Sequence, residues 1–130
     1  MNNAIATRNL YRFEEIYFLD HAVGKQRTLR EIKSAAKRVW QKRRGKMPKI
    51  YFGLGTKYNG RYLSYQQGDE IHLAEGQRDY LTLTHELVHA MGYDYHDKKF
   101  VDVYFDLLEN VFHMHRGELE LAAGLYGVDR

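Results

Sequence analysis

The chain has no cysteine among its 130 residues, which excludes a disulfide framework, a cysteine-ligated zinc site and a thiol nucleophile. It also has no apolar run near the roughly 20 residues that span a bilayer. Arginines and glutamates are scattered through residues 1–19, a pattern that does not fit a secretory signal. We therefore expect a cytoplasmic protein without a membrane partner, in the host cytoplasm if a virus encodes it.

The length and composition of the chain are typical of a single globular domain, 1–130. Its positive charge is concentrated in one segment. Residues 25–49 carry eleven lysines and arginines and one acid, a net charge of +10, whereas the remainder of the chain carries −7. Such a segment is either a solvated helix face or a contact for an anionic partner. Nucleic acid is one such partner, since basic helix faces bind phosphates with salt-dependent affinity. The candidate contacts are Arg30, Lys33, Lys37 and Arg44.

Helix signals dominate both ends of the chain, with strand signals between them. Apolar residues at helical spacing predict a first helix over 7–21. Thr28 and Glu31 form a capping-box pattern at the start of a second helix, which Gly45 ends. Short runs of β-forming residues predict three strands, the last two of them an antiparallel pair. The predicted strands are 49–54, 61–65 and 70–73, and the later helices are 78–91, 97–112 and 118–126.

The predicted helix 78–91 contains the pattern His85-Glu-x-x-His89. Residues four apart lie one turn apart on the same helix face, so both imidazoles can reach one zinc ion at about 2.0–2.1 Å. Glu86 is adjacent to the first ligand, where its carboxylate can take a proton from a zinc-bound water of pKa about 7. The alternative is two histidines facing solvent, with Glu86 an ordinary surface acid.

A catalytic zinc site requires a third protein ligand and leaves its fourth position open. Gly92 allows a sharp turn after the helix, and His96 follows His89 by seven residues, so a short loop can bring His96 to the metal. Asp97 suits the N-cap of the next helix. The rival third ligands are Glu109, Asp94, Asp102 and Asp106.

The motif with its surroundings resembles the zinc-protease core of the SprT-like and WLM metallopeptidases. In those families an H-E-x-x-H helix precedes a third histidine, and a Phe or Trp follows it, as in His96-Asp-Lys-Lys-Phe100. The resemblance covers about Ile50 to Phe112. It implies a zincin-like fold, one Zn²⁺ held by His85, His89 and His96, and Glu86 as the catalytic acid and base. The third histidine stands one place later than in WLM-like patterns, and the SprT-like zinc ribbon is absent.

These observations predict an α+β fold in which a small antiparallel or mixed three-stranded sheet packs with N-terminal helices, an active-site helix and a C-terminal helix. The basic helical segment is 25–49 and the catalytic core about 50–112. Tyr93 and Tyr95 flank the motif and can stabilise an oxyanion or contact substrate. The strand 70–73 is a candidate edge for pairing with an extended peptide.

We expect a zinc-dependent endopeptidase that hydrolyses peptide bonds of a protein or peptide substrate. A DNA-associated protein is a candidate substrate because of the basic segment. One alternative is a non-catalytic protein, stapled by zinc, whose basic segment contacts nucleic acid or a larger assembly. Another is a hydrolase of a non-peptide amide, which would use the same zinc and water chemistry.

Overall fold

The computed structural model describes residues 3–17, 21–41, 43, 45–58 and 60–128. Within these residues, five α-helices accompany a mixed three-stranded sheet and a two-stranded sheet, which confirms the predicted α+β class. None of the described helices is long and apolar enough to cross a membrane. The elements are α1 (Asn3–Arg12), a π-helical turn (Phe13–Tyr17), a 3₁₀ turn (Ala22–Gly24), α2 (Leu29–Trp40), β1 (Lys49–Phe52), β2 (Thr56–Tyr58), β3 (Arg61–Leu63), β4 (Tyr65–Gln67), β5 (Glu70–Leu73), α3 (Tyr80–Ala90), α4 (Lys98–Asn110) and α5 (Arg116–Leu125).

The predicted helix boundaries are confirmed where side chains cap the backbone. At the start of α2, Thr28 accepts a hydrogen bond from the backbone N–H of Glu31, and the Glu31 carboxylate accepts one from the backbone N–H of Thr28. Asp97 accepts from the backbone N–H of Phe100 at the start of α4. Gly92 follows α3 with a φ of +104°, a conformation that a residue with a side chain rarely adopts. These local signals place the helices that carry the site.

The first helix differs from its prediction. The α-helical part begins at Asn3 and ends at Arg12, and a π-helical turn continues it over Phe13–Tyr17. Residues 18–20 of the predicted helix lie outside the described part of the chain. Apolar spacing still identified the buried face, since Leu10 and Phe13 are fully buried. A π turn follows from local packing, and a search for 3.6-residue periodicity does not detect it.

The three-stranded sheet has the order β1-β5-β4, so β5 is its central strand and not the expected edge. Ile50 of β1 lies opposite Ile71 of β5 in parallel register, while β4 runs antiparallel to β5. The predicted pairing of 61–65 with 70–73 is wrong in most of its length, because β5 pairs with Tyr65–Gln67, and only Tyr65 of these belongs to the predicted strand. Strand propensity identifies extended segments but does not specify their partners.

A separate hairpin occupies the segment that the sequence analysis treated as a loop and a strand. β2 and β3 pair antiparallel, with Lys57 opposite Tyr62. Gly60 in the connection has a φ of +77°. The sequence carries Asn59-Gly60 at this point, a dipeptide typical of two-residue hairpin turns. That signal could have identified the hairpin.

Helix α3 lies between two groups of buried apolar side chains. Leu81 and Val88 pack in the first group, with residues of α1, α4 and α5. Leu83 and Leu87 pack in the second group, with residues of α2, β1 and β5. Because α3 is covered on both sides, its polar side chains at positions 84–86 are also buried. The fold thus places the motif helix at the centre of the molecule.

Candidate metal centre

Three histidine side chains converge at the end of α3. His85 and His89 lie one helical turn apart, with ring centroids 5.0 Å apart. The turn at Gly92 returns the chain, and His96 presents its Nε2 atom 3.0 Å from His85 Nε2 and 3.1 Å from His89 Nε2. The structure therefore brings together the three histidines that the sequence analysis selected as ligands.

The spacing of these nitrogens matches a metal site. Bonds of about 2.0–2.1 Å to a tetrahedral zinc ion place its nitrogen ligands about 3.3 Å apart. His85, His89 and His96 form a group that can hold a metal ion, and no other histidine or carboxylate of the described residues joins it. The position opposite the three nitrogens is thus not filled by a fourth side chain of the described chain.

Each imidazole is oriented through its second nitrogen. His85 Nδ1 donates to Glu14 Oε2 at 2.7 Å, and His89 Nδ1 donates to the Tyr93 carbonyl at 2.7 Å. His96 Nδ1 is hydrogen-bonded to Thr7 Oγ1 at 2.7 Å. A carboxylate and a carbonyl can only accept, so His85 and His89 in their neutral forms carry the proton on Nδ1 and a lone pair on Nε2. Such partners fix the tautomer and ring orientation of metal-binding histidines.

The Glu14 carboxylate is itself held by a second partner. The hydroxyl of Tyr104, a fully buried residue of α4, donates to Glu14 Oε2 at 2.6 Å. Glu14 lies in the π-helical turn after α1 and is 71 positions from His85 in the chain. The sequence did not predict roles for Glu14 and Thr7, which lie far from the histidines in the chain, or for Tyr104, whose hydroxyl acts through Glu14. No motif spacing connects them, so only the tertiary structure identifies them.

Apolar rings line one side of the three imidazoles. The ring of Phe100 lies with its centroid 4.8–5.0 Å from those of all three histidines. Tyr11 of α1 lies 5.8 Å from both His85 and His96, centroid to centroid. These ring contacts restrict the motion of the imidazoles, and Tyr11 also lines the cleft described below.

Burial keeps two of the histidines neutral. Burial, together with the neighbouring His85, lowers the pKa of His89 to about 4 and that of His96 to about 3. Burial also acts to lower the pKa of His85, but the Glu14 carboxylate opposes it and the net pKa is above the ordinary value. Neutral imidazoles have free lone pairs, which metal binding requires.

Glu86 has the properties of a proton acceptor beside this group. It is 6 % exposed, and its Oε2 accepts no hydrogen bond within the described residues. Burial raises the pKa of Glu86 to about 7, opposed by His85 and reinforced by Glu14. A carboxylate with a pKa near 7 can both take and return a proton at neutral pH.

A cleft of about 540 Å³ opens beside Glu86 and His85. One wall is α3 with Asp79 and Thr82, and another is the link between β3 and β4 with Leu63 and Ser64. Since β4 follows directly, the cleft borders the edge of the three-stranded sheet. The open cleft gives a substrate access to Glu86 and His85.

The rival third ligands lie elsewhere. Arg116 pairs with Asp106 at 2.7 Å and lies 4.0 Å from Glu109. Lys98 pairs with Asp102 at 2.8 Å, and Asp94 is exposed outside the histidine group. The geometry therefore selects His96.

The two tyrosines next to the motif are placed differently from each other. Tyr93 is half-buried, and its contribution to the histidines is its backbone carbonyl, which accepts from His89. Tyr95 is 64 % exposed. Neither residue lines the cleft beside Glu86.

The basic face of α2 lies at the surface. Arg30, Lys33 and Lys37 are all exposed and border a shallow surface depression together. No ion pair joins these three to the described residues. Arg44, the fourth candidate, lies outside the described part of the chain.

Comparisons with family models, with curated proteins and with solved structures found no match to this chain. The functional proposal below is based on the convergence of His85, His89 and His96 and on the position of Glu86.

Proposed function

We propose that the protein is a zinc-dependent peptidase of the SprT-like or WLM type. The observation that carries the proposal is the group of three histidine Nε2 atoms with Glu86 beside it in an open cleft. Catalytic zinc sites use three protein ligands and keep one position for water or substrate, whereas structural sites are closed by four. The absence of a fourth ligand within the described residues favours catalysis over a structural staple.

The side chains divide the work of peptide hydrolysis. His85, His89 and His96 would hold the zinc ion, which acts as a Lewis acid that polarises a carbonyl and acidifies water. Glu86 accepts the proton of the attacking water and then donates it to the leaving amine. Its burial keeps its pKa near 7, which suits both steps. Glu14 and Thr7 keep the imidazoles in place.

The sheet edge offers a binding site for an extended peptide. β4 pairs with β5 on one side only within the described sheet, and the residue before it, Ser64, lines the cleft. A peptide that adds to this edge forms backbone hydrogen bonds whatever its sequence. We therefore propose a protein or peptide substrate, bound as an additional strand beside Glu86.

The test compares zinc content with hydrolysis of a peptide library in four chains. Wild type is expected to hold about one zinc ion, and Glu86→Gln the same amount with hydrolysis reduced about 10²- to 10⁴-fold. His96→Ala is expected to lose most of its zinc. Glu75→Gln, an exposed glutamate, is the matched control and should behave as wild type. Full hydrolysis by Glu86→Gln would refute the mechanism.

A second candidate function is binding of nucleic acid through α2. Binding to DNA would bring the peptidase to a substrate protein that is itself associated with DNA. The favouring observation is the exposed face of Arg30, Lys33 and Lys37, without ion pairs to the described residues. In a titration with labelled duplex DNA, Lys33→Glu with Lys37→Glu should weaken binding and reduce the salt slope by about 2. The same reversal at Lys98 and Lys99 of α4 is the control. Equal weakening in both double variants would contradict a specific role for α2.

A further inference from the structure

A groove of about 980 Å³ lies where the C-terminal ends of α2, α3 and α4 meet. It shares no lining residue with the cleft beside Glu86. Its apolar lining comes from all three helices: Val39, Trp40, Ala90, Met91, Leu107 and Val111. The peptidase function proposed above does not use this groove.

Trp40 lines this groove with a half-buried side chain. Its ring packs against the second core group. The indole Nε1 atom is buried and has no acceptor within the described residues. Because solvent does not reach Nε1, a molecule in the groove would contact the ring of Trp40 and not this donor.

The groove is basic. Arg38 and Arg43 are exposed and line it, and no carboxylate is among its lining residues. Neither arginine forms an ion pair within the described residues, and the Arg38 guanidinium lies over the Phe112 ring, 5.5 Å from its centroid. His113, also in the lining, has a φ of +58°, the only positive value at a non-glycine residue in the described chain. An occupant with negative charge would complement the two guanidinium groups.

We propose that this groove binds a peptide segment of a partner protein that carries both acidic and apolar side chains. Carboxylates of the peptide would pair with Arg38 and Arg43, and its apolar side chains would pack against the apolar lining, which includes the ring of Trp40. The lining has six apolar residues and two arginines, a mixture that suits a peptide with acidic and apolar side chains better than a phosphate backbone. This inference does not depend on the peptidase function.

Trp40 supplies a direct readout, since it is the only tryptophan in the chain. The probe is a synthetic peptide of alternating glutamate and leucine, added to the full-length protein while tryptophan emission is recorded. We expect a saturable change in emission. Arg38→Glu with Arg43→Glu should weaken binding about tenfold or more, because both rim cations then repel the peptide. Calorimetry with the wild-type protein gives an affinity that does not depend on the tryptophan signal.

The control is Lys98→Glu with Lys99→Glu, which reverses two exposed charges at the start of α4, outside the groove. These changes should alter peptide affinity by less than about twofold, the size of a distant screened charge effect. Circular dichroism confirms that each variant folds. Equal weakening by both double variants would overturn the proposal, as would absence of any emission change or tighter binding of a single-stranded oligonucleotide than of the peptide.

Discussion

The geometry of the candidate metal site depends on hydrogen bonds from residues outside the three histidines. Each imidazole has one nitrogen directed at the centre of the group and the other held by a partner. Two of the partners are side chains, Glu14 and Thr7, and both come from the N-terminal segment. The Nε2 atoms lie only 3.0–3.1 Å apart, so their lone pairs repel unless a proton or a metal ion lies between them.

Glu14→Gln tests this arrangement at a single atom. The amide weakens the acceptor for His85 Nδ1–H and removes the negative charge, while the side chain keeps its size. Zinc affinity is expected to fall about 10- to 100-fold, as for other partners of metal-binding histidines. Competition with a fluorescent zinc chelator measures the affinity directly.

The matched control is the neighbouring Glu15→Gln. Glu15 is exposed, and no hydrogen bond of the three histidines involves it. Tyr104→Phe should have a smaller effect than Glu14→Gln, because it removes only the second hydrogen bond to Glu14. Equal zinc affinities for wild type and Glu14→Gln would show that Glu14 does not position His85.

Whether the sequence predicts a residue of the candidate site depends on how far that residue lies from its partners along the chain. The spacing of His85 and His89 is local and is set by helix geometry, so the sequence predicts it. The return of His96 depends on one glycine turn, and it was also predicted. Glu14 reaches His85 only because α1 packs on α3 and α4, a tertiary contact with no local signal.

Helix α3 begins with a buried aspartate. Asp79 caps α3, accepting from the Thr82 backbone at 2.7 Å and from its hydroxyl at 3.0 Å. Burial raises the pKa of Asp79 from 3.8 to about 6, against the effect of these hydrogen bonds. A pKa raised in the folded state means that folding favours the protonated form. The contribution of Asp79 to the free energy of unfolding is therefore complete below about pH 3.8, and it is lost as the pH rises through about 6.

Asp79→Asn should remove this pH dependence while it preserves the cap. The pKa difference corresponds to about 3 kcal/mol of unfolding free energy. Urea unfolding of both chains at about pH 4.5 and about pH 8 measures it. Relative to wild type, the variant should gain stability at the higher pH, since wild type alone carries a buried charge there. A stability difference that does not change with pH would contradict the assignment.

The elements differ in how well local sequence predicts them. Helices α2, α3 and α4 have side-chain caps that act within three or four residues, and their starts were predicted closely. The strands are three or four residues long, too short for a clear period-two pattern, so their partners were assigned incorrectly. The parallel pairing of β1 with β5 joins residues 21 apart in the chain and depends on how α2 and α3 pack.

The three histidines and their hydrogen-bond partners connect the N-terminal segment to the C-terminal half of the molecule. α1 and its π turn contact the histidines through Thr7 and Glu14. If the group holds zinc as proposed, removal of the ion should loosen α1, since unliganded imidazoles separate to relieve lone-pair repulsion and weaken these hydrogen bonds. Chelation is expected to increase trypsin cleavage after Arg8 and Arg12 several-fold, as local opening becomes less costly.

Cleavage after Lys46, which lies between α2 and β1, and after Lys49, the first residue of β1, serves as the internal reference. Mass spectrometry of the digest identifies each cut, and zinc added back should restore protection. Uniform acceleration at all four sites would indicate global destabilisation in place of local release of α1.

The position of Tyr104 also has a consequence for biosynthesis. During translation, Thr7 and Glu14 leave the ribosome first, then the three histidines, and Tyr104 last. A nascent chain that has not yet exposed Tyr104 lacks the hydroxyl that holds Glu14 against His85. Zinc acquisition in its final geometry is therefore expected late in synthesis or after release, when all parts of the group are present.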